Sequence, residues 1–198
     1  MKSLLPGIWE WSWFSEEKRL DFNGHLLAVG EHRILVDPPP LSAPDFAFLK
    51  QGEQVDYILL TNRDHQREAA SLRQSLGCQV MAPDLDAKDM AVTIDKTFKD
   101  GELLPGGIWV VHLTNQKSPG ESAFFLQKGK GILIVGDALI GDPAGSVRLL
   151  PAEKYADTEQ AGLSLKRLLK FSFETLLVGD GTSLLTDAKS AVHTLLET

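Results

Sequence analysis

Short apolar runs rich in β-forming residues alternate with turn signals through the first part of the chain. His25–Val29 and Arg33–Val36 are separated by a Gly-Glu-His segment, which predicts two strands joined by a tight hairpin turn. The second run ends at Asp37, and the three prolines that follow cannot continue a ladder of backbone hydrogen bonds. Ser42 then predicts the N-cap of a short helix that ends at Lys50.

The next stretch has the pattern of a strand, a helix and a second strand. Val55–Thr61 is a nearly continuous apolar run, which is typical of a strand buried on both faces. Arg67–Leu76 has apolar residues at helical spacing and is followed by Gly77, a residue that often ends helices. Gln79–Ala82 is predicted to be the next strand.

The second half of the chain repeats this order of elements. Two sheets packed together with helices outside would bury the apolar stripes, and no linker divides the chain. The pattern therefore predicts an α+β fold with one domain over residues 1–198. The predicted elements of this half are the strands Ile108–Leu113, Ala123–Gln127, Ile132–Val135 and Thr175–Val178 and the helices Lys154–Lys170 and Asp187–Leu196.

Composition and charge exclude several classes of function. The chain is 43% hydrophobic and 24% charged, as soluble globular proteins are. Its formal net charge of −7 comes with no Lys/Arg-rich block, so we expect no nucleic-acid partner. No apolar stretch approaches the ~20 residues of a membrane span, and no signal peptide is evident. Cys78 has no partner for an internal disulfide, so nothing indicates an oxidising compartment. Together these features lead us to expect a cytoplasmic protein without membrane contact.

Polar clusters follow four of the predicted strands, and they are the main candidates for chemistry. In layered α/β folds, functional sites collect at the carboxyl ends of strands. Asp64 alone would cap the helix that follows it, and Asp137 and Asp180 alone would form turns. All four clusters fall at strand ends, however, which favours a shared site. The clusters are residues 61–67, 114–121, 136–137 and 179–181.

Several short segments occur in a recognisable order along the chain. They are the hairpin that ends in Asp37, Leu59-Leu60-Thr61, Asp100-Gly101-Glu102, Gly106-Gly107, Ser118-Pro119-Gly120-Glu121, Gly136-Asp137 and Leu177-Val178-Gly179-Asp180-Gly181. Together, from about Phe22 to the last helix, they resemble the metallo-β-lactamase superfamily. This resemblance implies a four-layer αββα sandwich and, in the family, a two-metal centre that activates water for hydrolysis.

The metal-binding positions of that family are where this chain departs from it. A placement without gaps puts the four ligand positions of the first motif on Asn62, Asp64, Gln66 and Arg67. It puts the second metal histidine on Lys117 and the last on Asp180, so that only Asp137 keeps its family identity. A gapped placement sets Asp64 and His65 on the Asp-His pair of the motif instead, and the sequence leaves both placements open.

The site admits three hypotheses. In the first, the charged groups of Lys117 and Arg67 occupy the former metal space, zinc is absent, and the protein is hydrolase-like with a divergent active site. In the second, one histidine and three aspartates hold a single zinc, manganese or iron ion; these ligands are Asp64, His65, Asp137 and Asp180. In the third, the protein is not catalytic and binds a small anionic ligand through Arg67 and Lys117. The candidate catalytic residues are Asp64, His65, Arg67, Lys117, Asp137 and Asp180, and the candidate ligand-binding residues are Asn62, Gln66 and Glu121.

Aromatic side chains recur near the N-terminus, at Trp9, Trp11, Trp13 and Phe14. They could form the contact of a homodimer, since aromatic residues favour the cores of interfaces. Their alternation also predicts an edge strand with one apolar face. The substrate class stays open, because a shared fold does not select a substrate.

Overall fold

Residues 1–197, which the computed structural model describes, form two β-sheets and four helices. The larger sheet contains, in this order, β1 (Lys2–Leu5), β2 (Ile8–Ser15), β3 (Leu20–Val29), β4 (His32–Val36), β5 (Tyr57–Leu59), β6 (Gln79–Pro83) and β7 (Lys96–Phe98). Neighbouring strands are antiparallel from β1 to β4 and parallel from β4 to β7. The parallel part places the carboxyl ends of β4, β5 and β6 at one edge of the sheet.

The smaller sheet has five strands. They are β8 (Leu103–Leu104), β9 (Ile108–His112), β10 (Ser122–Leu126), β11 (Ile132–Val135) and β12 (Thr175–Val178). Their order across the sheet is β12-β11-β10-β9-β8. Strands β11 and β12 are parallel and the other neighbours are antiparallel, so β9, β11 and β12 all run in the same direction. Their carboxyl ends therefore share one edge as well.

Helices cover the outer face of each sheet. They are α1 (Ala43–Gln51), α2 (Ala69–Leu76), α3 (Thr158–Leu165) and α4 (Ala188–Glu197). Leu49 of α1 and Leu72 of α2 belong to a buried cluster with the larger sheet, and Leu165 of α3 and Val192 of α4 belong to one with the smaller sheet. A third buried cluster lies between the two sheets. This order of layers confirms the predicted αββα sandwich, because each apolar stripe is buried against a neighbouring layer.

Several predicted element boundaries were wrong for local reasons. The β3 strand begins at Leu20 rather than at His25, because it pairs with β2 along its whole length. Helix α2 begins at Ala69 because Arg67 has a φ of 34°, which lies outside the helical range. The predicted helix Lys154–Lys170 is interrupted: Asp157 caps α3 at its start, α3 ends at Leu165, and a separate 3-10 turn follows.

The aromatic N-terminal segment forms β2, which lies inside the sheet. The prediction of an edge strand was wrong, because β1 pairs with the outer side of β2. Trp11 is only 4% exposed, whereas Trp13 is 43% exposed, so the alternation buries only part of the aromatic surface. The homodimer stays a prediction. Within the described residues, no helix has the length and apolar character needed to cross a membrane.

Candidate functional site

The strand ends of both sheets meet and bring the predicted polar clusters together. Asp37 follows β4, and a 3-10 turn that includes His65 follows β5. Lys117 lies in the loop after β9, Asp137 follows β11 and Asp180 follows β12. Ion pairs link members of these clusters across the two sheets, so residues far apart in the chain share one site.

A buried carboxylate fixes the orientation of His65. One oxygen of Asp37 accepts a hydrogen bond from the Thr61 backbone N–H at 2.8 Å. The other oxygen accepts the Thr61 hydroxyl at 2.5 Å and lies 2.8 Å from Nδ1 of His65. The opposite ring nitrogen, Nε2, therefore points toward the pocket, where it lies 3.6 Å from Asp137 and 4.0 Å from Asp180.

Carboxylates on both sides of the ring keep His65 protonated. Burial and the nearby Arg67 guanidinium lower the pKa of His65, but the charges of Asp37 and Asp137 outweigh them and raise it to about 10. His65 is only 3% exposed, so these charges act with little screening by solvent. At neutral pH the ring is therefore an imidazolium that donates from Nδ1 to Asp37, and it cannot act as a base.

Arg67 donates hydrogen bonds to residues within β3 and at the ends of β4 and β12. Its guanidinium bonds to the carboxylate of Asp180 at 2.7 Å and to the carbonyl oxygens of Asn23, Asp37 and Gly179 at 3.0, 3.2 and 3.3 Å. The guanidinium carbon also lies 4.7 Å from the centre of the Phe22 ring. Arg67 thus joins the two sheets through both of its terminal nitrogens, and this role accounts for its strained backbone at positive φ.

Lys117 bridges two carboxylates at the same edge. Its ammonium lies 2.8 Å from Asp137 and 2.9 Å from Asp64. Burial lowers the pKa of Lys117, but these two carboxylates outweigh it and raise the pKa above its usual value. Burial raises the pKa of Asp137, but the charges and hydrogen bonds of His65 and Lys117 outweigh burial and lower the pKa well below its usual value. This carboxylate is therefore charged at neutral pH.

The three predicted ligand-binding residues lie outside the cavity that the catalytic candidates line. Asn62 and Glu121 are fully buried beneath it, and the Asn62 amide donates to Glu121 at 2.8 Å. Burial and the charges of Asp137 and Asp37 raise the pKa of Glu121 well above its usual value. Gln66 points elsewhere, because its amide oxygen accepts the backbone N–H groups of Ala91 and Val92.

A further aspartate that sequence reasoning missed holds the site loops together. Asp86 is fully buried and accepts hydrogen bonds from the backbone N–H of Arg63 at 2.9 Å and of Gly120 at 2.9 Å. The hydroxyl of Ser118 also donates to it. Asp86 thereby connects the loop of His65 to the loop of Lys117. Its signal was present, since it lies just beyond another strand of the parallel series, β6.

A cavity of about 390 Å³ opens above the strand ends. All six residues predicted to be catalytic line it: Asp64, His65, Arg67, Lys117, Asp137 and Asp180. Sites of this volume lie at the lower end of the range for small-molecule pockets, about 300–1,000 Å³. The cavity therefore suits a small ligand.

We expect Gly136→Ala to destabilise the protein, because the glycine next to Asp137 lies against the buried strand end. A Cβ at this position would collide with the Thr61 hydroxyl and lie 2.9 Å from the Asn62 amide. The expected loss is about 1–3 kcal/mol in the free energy of unfolding, measured by urea denaturation.

The matched control is Gly162→Ala. Gly162 lies inside α3, where a Cβ would meet nothing within 4 Å, so this variant should gain about 0.5–1 kcal/mol. If Gly136→Ala were as stable as the wild type, the close packing of the strand end against Thr61 would be contradicted.

Comparison with known protein families identifies the family of this chain. The sequence matches a family model described as "Metallo-beta-lactamase superfamily" over residues 1–198. The chain belongs to the metallo-β-lactamase superfamily. No curated protein matches it.

Solved metallo-β-lactamase structures share its fold. The metallo-β-lactamase from Pontibacter korlensis is 16% identical, with a TM-score of 0.76, and the match covers 100% of this chain and 98% of that one. The DIM-1 metallo-β-lactamase is 17% identical, with a TM-score of 0.77 and coverage of 99% and 95%. The protein TTHA1623, solved in a di-iron-bound form, is 28% identical, with a TM-score of 0.69 and coverage of 89% and 94%.

This superfamily member has one candidate metal site among its described residues. A ring nitrogen of His65 and carboxylate oxygens of Asp137 and Asp180 all lie within 4.8 Å of one another. Asp64, which the sequence had added to this set, is paired with Lys117 instead.

Proposed function

We propose that this protein is a metal-independent member of the metallo-β-lactamase superfamily that binds a small anionic ligand in the cavity above the strand ends. The observation that carries this proposal is the position of Lys117 and Arg67. Each places a fixed positive charge within hydrogen-bond distance of a carboxylate that would otherwise be free to bind a cation, Asp137 and Asp180.

The donor set is a poor fit for a divalent metal. A nitrogen of Arg67 lies 3.5 Å from Nε2 of His65, the ring nitrogen that faces the pocket. A divalent ion would also have to displace two cations that already satisfy the carboxylates. These features favour a self-contained network of charges.

The same network leaves few groups for hydrolysis without a metal. His65 and Lys117 both hold their protons at neutral pH, so neither can accept one from water. The Thr61 hydroxyl donates to Asp37 and is buried, which removes it as a nucleophile. Binding therefore accounts for the site better than catalysis does.

The charge of the cavity favours an anion. Among the residues that line it, five are Lys or Arg and three are Asp, while the charge of His65 is balanced by Asp37, 2.8 Å from its ring. The whole chain has the opposite balance, with 20 Lys and Arg against 27 Asp and Glu. A locally positive pocket in an acidic protein concentrates anionic ligands and repels cations.

A single-metal hydrolase is the second candidate, supported by the His65, Asp137 and Asp180 cluster. TTHA1623, which is 28% identical, was solved in a di-iron-bound form, so metal binding has a precedent in a protein of similar fold. In this candidate the ion would supply an activated water, and the three side chains would hold it. It requires Arg67 and Lys117 to release their carboxylates first.

Elemental analysis separates the two candidates. We expect protein purified without chelator or metal-affinity resin to contain far less than one equivalent of zinc, iron or manganese. We also expect inorganic phosphate to raise the midpoint of thermal unfolding relative to chloride at equal ionic strength, because a ligand of the folded state stabilises it. A near-stoichiometric metal that is lost in Asp137→Ala would contradict the proposal and support the hydrolase.

A further inference from the structure

We infer that the ligand of this cavity is an amphipathic organic anion, with an apolar body inside the cavity and a carboxylate or phosphate group at its mouth. The inference rests on the proposed function and specifies its ligand class. Its basis is the composition of the two segments that face each other across the cavity, which both pair apolar side chains with cations.

The apolar part of the lining comes from both segments. The hairpin between β2 and β3 contributes Leu20 and Phe22, and the segment after β11 contributes Ile140, Leu150 and Pro151. Phe22 is held in place between two neighbours, since Arg67 lies 4.7 Å from its ring and the Trp13 ring centre lies 5.9 Å away. An inorganic anion would leave this surface in contact with water, whereas an alkyl or aryl group would bury it.

The cations that line the cavity fall into two groups. Arg67 and Lys117 are bound to the aspartates of the strand ends, so their charges are already neutralised. Lys18 and Lys154 are exposed. Lys18 pairs with Glu17 at 2.6 Å, and both side chains of this pair are in water, whereas Lys154 has no ion pair with any of residues 1–197. Arg148 is partly exposed, and its Nε pairs with Asp142 at 3.0 Å.

The charges left for a ligand are therefore at the mouth. Exposed lysines keep their ammonium groups in water while their alkyl chains extend over apolar surface. A ligand with its apolar body inside and its anionic group outside would satisfy both kinds of lining. An inorganic phosphate would satisfy only the lysines, and a neutral hydrocarbon only the apolar walls.

Matched eight-carbon probes test the two halves of this inference on the full chain. Isothermal titration with octanoate, octyl phosphate and octanol, each below its aggregation concentration, varies the head group at a constant apolar body. We expect both anions to bind more tightly than octanol, and the tighter of the two anions identifies the head group. Across butanoate, hexanoate and octanoate, affinity should rise by about fourfold per added methylene until the cavity is filled.

Variants test which residues bind the anionic group of the ligand and which contact its apolar body. Lys18→Gln and Lys154→Gln should weaken octanoate binding and leave octanol binding unchanged, whereas Lys88→Gln, an exposed lysine outside the lining, should change neither. Leu150→Ala should weaken octanoate and octanol to the same extent, because it removes apolar contact alone.

The failures of the two proposals are distinguishable. Affinity that does not change with chain length, or phosphate that binds as tightly as octanoate, would overturn the amphipathic ligand and leave the anion site intact. Octanol that binds as tightly as octanoate would overturn the role of the lysines. If no anion binds, the proposed function fails together with this inference.

Discussion

Replacing Arg67 with methionine is expected to lower the free energy of unfolding by about 3–5 kcal/mol, the loss that follows when one partner of a buried ion pair is removed. The Asp180 carboxylate, only 7% exposed, would keep its charge without a partner at 2.7 Å. Methionine keeps an apolar contact with the Phe22 ring, so packing changes little. Urea denaturation of the wild type and the variant measures the difference in the free energy of unfolding, provided that the slope of this free energy against urea concentration is the same in both.

Two further variants test whether the loss of stability in Arg67→Met comes from the uncompensated charge of Asp180. Arg67→Met combined with Asp180→Leu removes both charges and should recover part of the stability. Arg73→Met breaks an exposed pair with Asp95 of similar length and should have a much smaller effect. Equal losses in Arg67→Met and Arg73→Met would contradict the buried network.

Asp37→Asn is expected to cost about 3–5 kcal/mol at neutral pH and to lower the pKa of His65 from its value of about 10. The variant removes the charge that lies 2.8 Å from Nδ1 of His65. Asparagine tolerates the positive φ of 47° at this position, so the backbone is not the cause of the loss. NMR titration of the His65 ring measures the pKa directly.

The ion pair of Asp37 and His65 makes the stability of the protein depend on pH. Because the pKa of His65 is higher in the folded state than the ordinary value of about 6.5, its contribution to stability is complete below pH 6.5 or so. The contribution decreases as the pH rises and is lost once the pH passes about 10. Asp37→Asn should flatten this dependence, whereas the exposed His193→Gln should not. A His65 pKa that stays near 10 in Asp37→Asn would assign the effect to Asp137 instead.

Local patterns predicted the fold well because they depend on neighbours in the chain. The hairpin before Asp37, the helix capped by Ser42 and the strand at Ile132–Val135 all formed where expected. One of the errors occurred where a distant contact determined the end of an element. The sequence places Arg67 in the predicted helix. In the structure Arg67 has a positive φ, which a helix cannot contain, and with this backbone its side chain reaches Asp180.

The strand-end clusters of the sequence also supply all six catalytic candidates, which the structure brings together around one cavity. The sequence could not assign partners within that set. Gln66 sits in a polar cluster like its neighbours, yet its side chain turns toward the backbone of Ala91 and Val92. Asp86 looked like an ordinary loop residue, although it holds two site loops together.

By itself, the sequence determined the order of strands and helices, the αββα class and the edge at which polar residues gather, because turn signals and apolar periodicity act over a few residues. Only the tertiary structure decided which cation meets which carboxylate. Arg67 and Asp180 are separated by 113 residues, and Lys117 and Asp137 by 20. The first pair is selected by how the two sheets pack and the second by the order of strands within the smaller sheet. The pairing of charges in turn decides whether this edge favours a metal or an anion.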